Sequence, residues 1–265
     1  MMLAIPFPAI DPVFLQVGPL AFRWYGLAYV VGIMLGIWYL RRLALSLPKF
    51  MKPEDADDFL TWAVLGVILG GRIGSILFYN FDRYMDDPVQ MLFIWEGGMS
   101  FHGGLLGVIV AGTWFTRKRD IPALRFADAL SCVAPIGLFF GRIANFINGE
   151  LFGRVTDAPW AMIFPNGGPD PRHPSQLYEA ALEGVVLFVL VNLVWRSDAF
   201  RNRPGATTGV FIAGYASARA FVELFRQPDA HIGFLLLGST MGQWLSLPMF
   251  LGGLYLILRS KPEKS

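Results

Sequence analysis

Long apolar stretches, each close to twenty residues, recur along most of the chain and are separated by short polar segments. A run of about 20 apolar residues is what an α-helix needs to cross the hydrocarbon core of a bilayer. The pattern predicts an all-α fold, a polytopic membrane helical bundle with about seven transmembrane helices. In chain order the predicted spans are Trp24–Leu40, Phe59–Tyr79, Met99–Phe115, Ala127–Ile147, Leu177–Trp195, Thr208–Phe225 and Ser239–Leu258.

Two of the connections between these spans are longer than a simple loop. Residues 149–175 form the longest polar connection and are rich in glycine and proline. Residues 81–98 include the apolar piece Val89–Glu96, which is too short to span and is better interpreted as interfacial or re-entrant. We therefore predict a single membrane domain, residues 1–265, with non-cytoplasmic loop or head segments around 81–98 and 149–175.

Composition agrees with the membrane class and excludes several others. The 265 residues are 54% hydrophobic and 16% charged, with a mean hydropathy of +0.48, whereas soluble domains carry roughly 25% charged residues. The net charge of +2 gives no large field for nucleic-acid binding. Cys132 is the one cysteine, which excludes a disulfide framework and a paired-cysteine metal site. The segment Met1–Leu20 lacks the basic start of a signal peptide, so the first span is expected to remain in the mature protein.

The loop charges predict an orientation. Fourteen of the 22 lysines and arginines lie in the loops after the first, third and fifth spans and in the tail, while the opposite side has four. Positive loops stay in the cytoplasm. The N-terminus is therefore predicted outside and the C-terminus inside.

Charged residues also occur within the spans, where they are costly and usually face the bundle interior with partners. The fifth and seventh spans are taken as almost purely apolar. With the predicted helix directions, polar groups from five other segments reach one layer in the outer half of the bundle. They are Tyr25, Arg72, His102, Arg142, Asn145, Glu150, Arg219 and Arg226.

Helical spacing predicts which of these side chains share a face. At 100° per residue Arg142, Asn145 and Gly149 lie on one face and Asn148 borders it. Arginine with carboxamides is a donor-rich surface suited to an anionic oxygen group, and to phosphate especially. Arg219, Glu223 and Arg226 form a second stripe, in which Glu223 can pair with either arginine.

A structural alternative stands beside each functional interpretation. The network around Arg142 would then only lock helices together, and Arg226 would be an interfacial anchor. Arg72 would pair with Glu150 or with a backbone carbonyl. His102, which precedes Gly103 and Gly104, is either part of a capped helix start with close packing or a base near neutral pH.

With these residues in view, nearly the whole chain resembles the bacterial prolipoprotein diacylglyceryl transferases. The most specific element is the run Gly141-Arg142-Ile143-Ala144-Asn145-Phe146-Ile147-Asn148-Gly149-Glu150-Leu151-Phe152-Gly153-Arg154, which looks like the family signature. The supporting elements, in the family's order, are Arg23-Trp24-Tyr25-Gly26, Gly71-Arg72-Ile73-Gly74, Phe101-His102-Gly103-Gly104, His173-Pro174-Ser175-Gln176-Leu177-Tyr178-Glu179 and Arg226-Gln227-Pro228-Asp229.

The resemblance implies transfer of the diacylglyceryl group of phosphatidylglycerol to the lipobox cysteine of a secreted prolipoprotein, with loss of glycerol phosphate. It implies a multi-pass protein of the bacterial cytoplasmic (inner) membrane with its active site toward the outer leaflet. The partners are the lipid, the lipobox with its signal peptide, and the membrane; no nucleic acid, metal or redox cofactor is expected.

Roles follow from that chemistry as hypotheses. Arg142 and Arg226 would stabilise the charge on the leaving phosphate. His102 is the first choice of base for the thiol and Glu150 the second. The catalytic set is His102, Arg142, Arg226 and Glu150, and the substrate-binding set is Arg142, Asn145, Asn148, Tyr25, Arg72, Arg219 and Gly153.

Two other classes remain open from the residues alone. An anion or lipid transporter would place the same arginines in a midplane site, and it predicts inverted repeats and gates on both sides. A non-catalytic membrane scaffold leaves the clustering of costly groups in one layer without a reason.

Overall fold

The computed structural model describes residues 5–8, 10–46, 49–78, 81–93, 97–228 and 233–262. This part of the chain is mostly helical, and five of its helices are long and apolar enough to cross a membrane. The prediction of a helical, polytopic membrane protein is thereby confirmed. The five are Trp24–Ala44, Pro53–Phe78, Ala123–Ile147, Ser175–Arg196 and Met241–Arg259.

The third and sixth predicted spans are also helical, but neither is among those five. They are the helices Phe101–Lys118 of 18 residues and Ala206–Val222 of 17 residues, both shorter than the length of about 20 that a span needs. The count of seven spans stays a prediction. Tyr79 at the end of the second predicted span, and residues 94–96 within 81–98, lie outside the described residues.

The helices are numbered here in chain order. They are α1 (Trp24–Ala44), α2 (Pro53–Phe78), α3 (Phe81–Asp86), α4 (Phe101–Lys118), α5 (Ala123–Ile147), α6 (Ser175–Glu179), α7 (Leu187–Arg196), α8 (Asp198–Arg201), α9 (Ala206–Val222) and α10 (Met241–Arg259). A seven-residue π-helix, Ala180–Val186, continues α6 into α7 without a break. Short 3-10 turns occupy Pro88–Leu92 and Leu236–Gly238.

Short strands depart from the all-α prediction. Strand β1 (Ile5–Pro6) pairs in parallel with β4 (Met162–Ile163), and β2 (Val13–Val17) forms an antiparallel hairpin with β3 (Leu20–Arg23). Three of these strands precede the first helix, and β4 lies in the long segment after α5. These strands are two to five residues long, and so short a run carries little periodicity in the sequence.

The chain forms two compact units. Unit 1 comprises Met1–Tyr39 and Ala127–Ser265, and unit 2 comprises Leu40–Phe126. Whether they form the one predicted membrane domain stays a prediction. Each unit is described by its own contacts.

Glycines set the packing of unit 2. A Cβ on Gly107 of α4 would lie 2.0 Å from the carbonyl oxygen of Gly66 in α2, and one on Gly103 would lie 2.3 Å from that of Gly70. The two backbones therefore touch at positions where no larger residue fits. The glycines of α2 and α4 thus serve close helix approach.

Unit 1 fixes the start of α9 with a buried carboxylate. Asp128 of α5 accepts hydrogen bonds from the backbone N–H groups of Gly205 and Thr208, each at 2.7 Å. Gly205 is the N-cap residue of α9 and Thr208 lies in its first turn, where backbone N–H groups have no partner inside the helix. Asp128 thus caps the end of α9 that lies opposite the arginine stripe.

Candidate active site

Three arginines of unit 1 converge on one buried glutamate. The carboxylate of Glu179 lies 3.2 Å from Nε of Arg142, 2.5 Å from Nη1 of Arg219 and 3.0 Å from Nη1 of Arg226. The side chain of Glu179 is 0% exposed, whereas those of the three arginines are 12–17% exposed. Arg142 comes from α5, Arg219 from α9, and Arg226 from the turn that follows α9.

Two further glutamates complete this charge cluster. Glu183 is also 0% exposed and lies 3.3 Å from Nη2 of Arg142. Glu223 lies 2.5 Å from Nη2 of Arg219 and 3.9 Å from Nε of Arg226. The pairing of Glu223 with both arginines was predicted from the helical spacing and is confirmed. We call the six residues Arg142, Glu179, Glu183, Arg219, Glu223 and Arg226 the arginine–glutamate cluster.

Glu179 and Glu183 correct the prediction that the fifth span is almost purely apolar. Average hydropathy conceals them, because strongly apolar residues surround both. The signal was present in the sequence, as two acidic residues four positions apart in a predicted span. The π-helix Ala180–Val186 begins directly after Glu179 and includes Glu183. Helical segments of this kind often occur at functional sites.

The carboxamides at the end of α5 have another partner than predicted. Nδ2 of Asn145 and Nδ2 of Asn148 donate to Oε1 of Glu150 at 2.8 and 3.3 Å. The backbone makes this possible, because Gly149 at φ +63° and Leu151 at φ +57° turn the chain back on the helix end. The arginine therefore joins the charge cluster and the amides hold Glu150, while the donor surface that they would offer to an anionic group stays a prediction.

Gly153 lies where backbone segments meet. A Cβ at this position would approach the carbonyl oxygen of Phe225 to 2.5 Å and that of His173 to 2.8 Å. The neighbouring Arg154 donates to the carbonyls of Glu223 and Arg226, both at 2.9 Å. Gly153 thus lets the segment after α5 pack against the turn that carries Arg226. Contact with substrate stays a prediction.

A polar chain borders this turn. The indole of Trp160 donates to the hydroxyl of Tyr178 at 2.6 Å, and this hydroxyl lies 3.0 Å from Nδ1 of His173. Since an indole N–H can only donate, the Tyr178 proton is free to be donated to Nδ1 of a neutral imidazole. Burial and the nearby charge of Arg154 lower the pKa of His173, which favours this neutral form.

Two tyrosines of unit 1 lie within electrostatic reach of these groups. The Tyr25 hydroxyl, at the start of α1, interacts with the charges of Glu150 and Arg142 and lies 3.2 Å from the Tyr29 hydroxyl. Tyr215 of α9 interacts with the charges of Glu183 and Arg219. Eight of the predicted site residues lie in unit 1, namely Tyr25, Arg142, Asn145, Asn148, Glu150, Gly153, Arg219 and Arg226.

Arg72 belongs to unit 2, where backbone carbonyls surround its guanidinium. It is 6% exposed and stacks at 5.0 Å on the ring of Tyr84. Nε donates to Met91 at 3.0 Å, Nη1 to Gly97 at 2.6 Å and Gly98 at 3.4 Å, and Nη2 to Phe93 at 3.2 Å and to Gln90. Of the two structural partners considered for Arg72, the backbone carbonyl is present. Its role in substrate binding stays a prediction.

His102 also belongs to unit 2 and is exposed in the first turn of α4. Ser100 caps this helix by accepting from the N–H of Gly103 at 3.1 Å. Among the described residues the imidazole has no hydrogen-bond partner, although it packs edge to face with Phe101. The capped helix start is therefore confirmed, and the base function stays a prediction.

Comparison with known sequences relates these features to an enzyme family. Residues 12–259 match the sequence profile of prolipoprotein diacylglyceryl transferase. Phosphatidylglycerol–prolipoprotein diacylglyceryl transferases of Rhodospirillum rubrum and Paramagnetospirillum magneticum are each 56% identical, covering 99% and 97% of this chain and 97% and 96% of their own. The Azospirillum brasilense protein of the same name is 55% identical over 98% of both chains. The chain belongs to the prolipoprotein diacylglyceryl transferase family.

Proposed function

We propose that this enzyme transfers the diacylglyceryl group of phosphatidylglycerol to the cysteine thiol of a prolipoprotein, and that Arg142 and Arg226 bind the departing phosphate. The reaction itself is supported by the family match and by the names of the similar enzymes. The observation that supports the phosphate site is the buried convergence of three arginines in unit 1.

The proposed setting is the outer leaflet of the bacterial inner membrane. Seven spans, with the N-terminus outside, place the ends of α5 and α9 on the outer side. The loop charges support this orientation. Both substrates, a phospholipid and a membrane-anchored precursor, would then reach the arginines from within the bilayer.

The guanidinium groups retain donors for a phosphate. Nη1 of Arg142 and Nη2 of Arg226 have no protein partner among the described residues, whereas the other Nη group of each is bound to a carboxylate. The cluster combines three positive and three negative side chains, so the bound lipid adds one uncompensated negative charge. A second appears as the carbon–oxygen bond breaks. Donors already aimed at that oxygen stabilise the transition state more than the ground state.

The chemical step is a displacement at the glycerol carbon. The thiol gives its proton to a base, the sulfur forms a bond to the carbon, and glycerol phosphate leaves with the electrons of the broken carbon–oxygen bond. A thiol with a pKa of about 8.5 needs such a base at neutral pH. His102 is the better candidate, because its imidazole is exposed and has no hydrogen-bond partner among the described residues, whereas Oε1 of Glu150 already accepts from two amides.

Vesicles of defined lipid composition test this function. Purified enzyme is incubated with phosphatidylglycerol and a lipobox peptide, and the peptide mass is followed. We expect a gain of one diacylglyceryl group in a thioether, and no gain when the cysteine is replaced by serine or when phosphatidylcholine is the sole lipid. Absence of the product from the wild-type enzyme would contradict the proposal. Movement of lipid between leaflets without product would indicate a transporter instead.

Variants then test the phosphate site. Arg142→Lys keeps the charge but loses the planar pair of donors, and Arg226→Lys does the same. We expect both to lose most of their kcat, with the exposed Arg117→Gln as the matched control that retains it. Equal rates in all three variants would remove the arginines from the mechanism.

A further inference from the structure

Glu179 differs from every other acidic residue of the arginine–glutamate cluster in the number of arginines that it joins. Its Oε1 lies 2.5 Å from Arg219 and 3.0 Å from Arg226, and its Oε2 lies 3.2 Å from Arg142. Glu183 approaches Arg142 at 3.3 Å and Arg219 only at 4.0 Å. Glu179 is thus the shared counter-ion of all three guanidiniums.

The position of Glu179 keeps it away from the substrate. Its side chain is 0% exposed, and no part of it is open to a lipid or a peptide. The arginines are 12–17% exposed and form the accessible part of the cluster. Any effect of Glu179 on the reaction must therefore pass through the arginines.

Glu223 has a different task, which separates it from Glu179. Its Oε2 accepts from the hydroxyl of Thr240 at 2.6 Å, and a Cβ on Gly242 would lie 2.5 Å from its carboxyl carbon. Glu223 therefore links α9 to the start of α10. Glu179 instead links α6 to α5 and to both arginines at the outer end of α9.

We propose that Glu179 is the positioning residue of the phosphate site. It forms an ion pair with Nε of Arg142 at 3.2 Å and accepts a hydrogen bond from Nη1 of Arg226 at 3.0 Å. These two contacts orient the donors that remain, Nη1 of Arg142 and Nη2 of Arg226. This inference rests on the proposed function and names what holds its two arginines in place. Donors that are already oriented need no reorganisation as charge develops on the phosphate. This preorganisation is the main source of electrostatic stabilisation of a transition state.

A charge-balancing role and a positioning role of Glu179 predict different kinetics for Glu179→Gln. If Glu179 served only to balance charge, removing one negative charge would strengthen binding of the anionic lipid and lower KM. If it positions the arginines, the amide cannot accept from all three, because its NH2 group faces donors. The donors would then lose their direction, and kcat would fall while KM changes little.

The experiment measures kcat and KM for phosphatidylglycerol in vesicles, for the wild type and for Glu179→Gln, Glu179→Asp and Glu183→Gln. We expect Glu179→Gln to lower kcat by about 100-fold, a loss typical of one misplaced electrostatic donor. KM is expected to stay within threefold. Glu179→Asp keeps the charge and should recover part of kcat, and Glu183→Gln should lose less than Glu179→Gln.

Two comparisons separate positioning from folding. Asp128→Asn neutralises another buried carboxylate of unit 1, and we expect a lower Tm with kcat per folded enzyme unchanged. Combining Glu179→Gln with Arg142→Gln tests whether the two act together: the effect of Glu179→Gln should shrink at least tenfold in the Arg142→Gln background, since one arginine that it positions is gone.

The inference is overturned if Glu179→Gln retains the wild-type kcat, if it lowers KM alone, or if its effect is unchanged in the Arg142→Gln background. Failure of the proposed function gives another result, because the wild-type enzyme would then form no thioether product. An active wild type with an inactive Arg142→Lys and a fully active Glu179→Gln would reject the positioning role and keep the function.

Discussion

Buried arginines are accommodated in two ways in this protein, and unit 2 and unit 1 illustrate one each. In unit 2 Arg72 donates from every guanidinium nitrogen to main-chain carbonyls. In unit 1 Arg142, Arg219 and Arg226 share three buried carboxylates. Both arrangements meet the requirement that a buried charge be paired and hydrogen-bonded.

The difference lies in what each arrangement leaves available. Five carbonyls accept from the guanidinium of Arg72, so this side chain holds residues 90–93 and 97–98 in place and directs its donors to the main chain. Carboxylates occupy one side of Arg142 and Arg226 and leave a nitrogen of each without a protein partner among the described residues. The first arrangement suits a structural anchor and the second suits binding of an anion.

The largest expected effect follows from replacing Arg142 by alanine. We expect kcat/KM to fall by about 1,000-fold, because both the donor on the phosphate and the partner of two buried glutamates are lost. Lipobox-peptide turnover at fixed folded enzyme concentration measures it. A loss below tenfold would mean that Arg142, like Arg72 of unit 2, serves mainly as a structural anchor.

Arg72→Lys should affect stability instead of catalysis. The ammonium can reach only some of the five carbonyls, so we expect the free energy of unfolding to fall by about 3 kcal/mol. The rate per folded enzyme should stay within threefold. Thermal unfolding in detergent and single-turnover rates measure the two quantities. A large change in KM for phosphatidylglycerol would instead support the predicted role of Arg72 in substrate binding.

Gly242→Ala disturbs the carboxylates while leaving every charge in place. The added Cβ would lie 2.5 Å from the carboxyl carbon of Glu223 and displace it from Arg219. We expect kcat to fall by about tenfold, as small misplacements near a site do. Gly252→Ala on the same helix is the matched control, because its Cβ meets no atom within 4 Å. Equal rates would show that the cluster tolerates movement of Glu223.

The smallest expected effect concerns Arg154 of unit 1, which, like Arg72 of unit 2, donates to backbone carbonyls. Arg154 donates to two carbonyls, and its charge, together with burial, lowers the pKa of His173. The unfolded chain therefore takes up a proton on this histidine first as the pH falls below about 6.5. Stability is complete above that value and decreases until the pH passes the lower pKa of the folded state.

Thermal unfolding between pH 7.5 and 5.5 measures this contribution. We expect His173→Gln to reduce the fall in Tm by roughly 1–2 °C relative to wild type, which corresponds to a fraction of a kcal/mol for a chain of this size. Identical curves for His173→Gln and wild type would mean that burial and the charge of Arg154 do not lower the pKa of His173 in the folded protein.

Much of this arrangement was accessible from sequence, for identifiable reasons. Apolar length predicts the helical spans, and the spacing of Arg219, Glu223 and Arg226 predicts their pairing, since both depend on local periodicity. Two features depended on the path of the backbone, which periodicity does not give: the partner of the two amides was missed, and the partner of Arg72 was left open between Glu150 and a backbone carbonyl. Asn145 and Asn148 bind Glu150 because positive-φ residues reverse the chain, and Arg72 finds its carbonyls 18 or more residues away.

Glu179 and Glu183 were missed for a different reason. A window average treats two acidic residues among many apolar ones as noise, although each is costly within a span. The π-helix around them is also invisible to a 3.6-residue period. Each charged residue within a predicted span needs a partner, and on that ground alone both glutamates are candidates for the site.

The alternation of charge along unit 1 bears on how the protein is made. Translation delivers Arg142 first, then Glu179 and Glu183, and then Arg219, Glu223 and Arg226. The segments with Glu179 and with Arg219 thus each follow a segment that carries the opposite charge, and domains generally fold N-terminal first during synthesis. A nascent chain that stops before α9 leaves two acidic side chains with a single arginine. Such a fragment leaves the cluster with a net negative charge, which α9 and the turn after it balance by adding Arg219, Glu223 and Arg226.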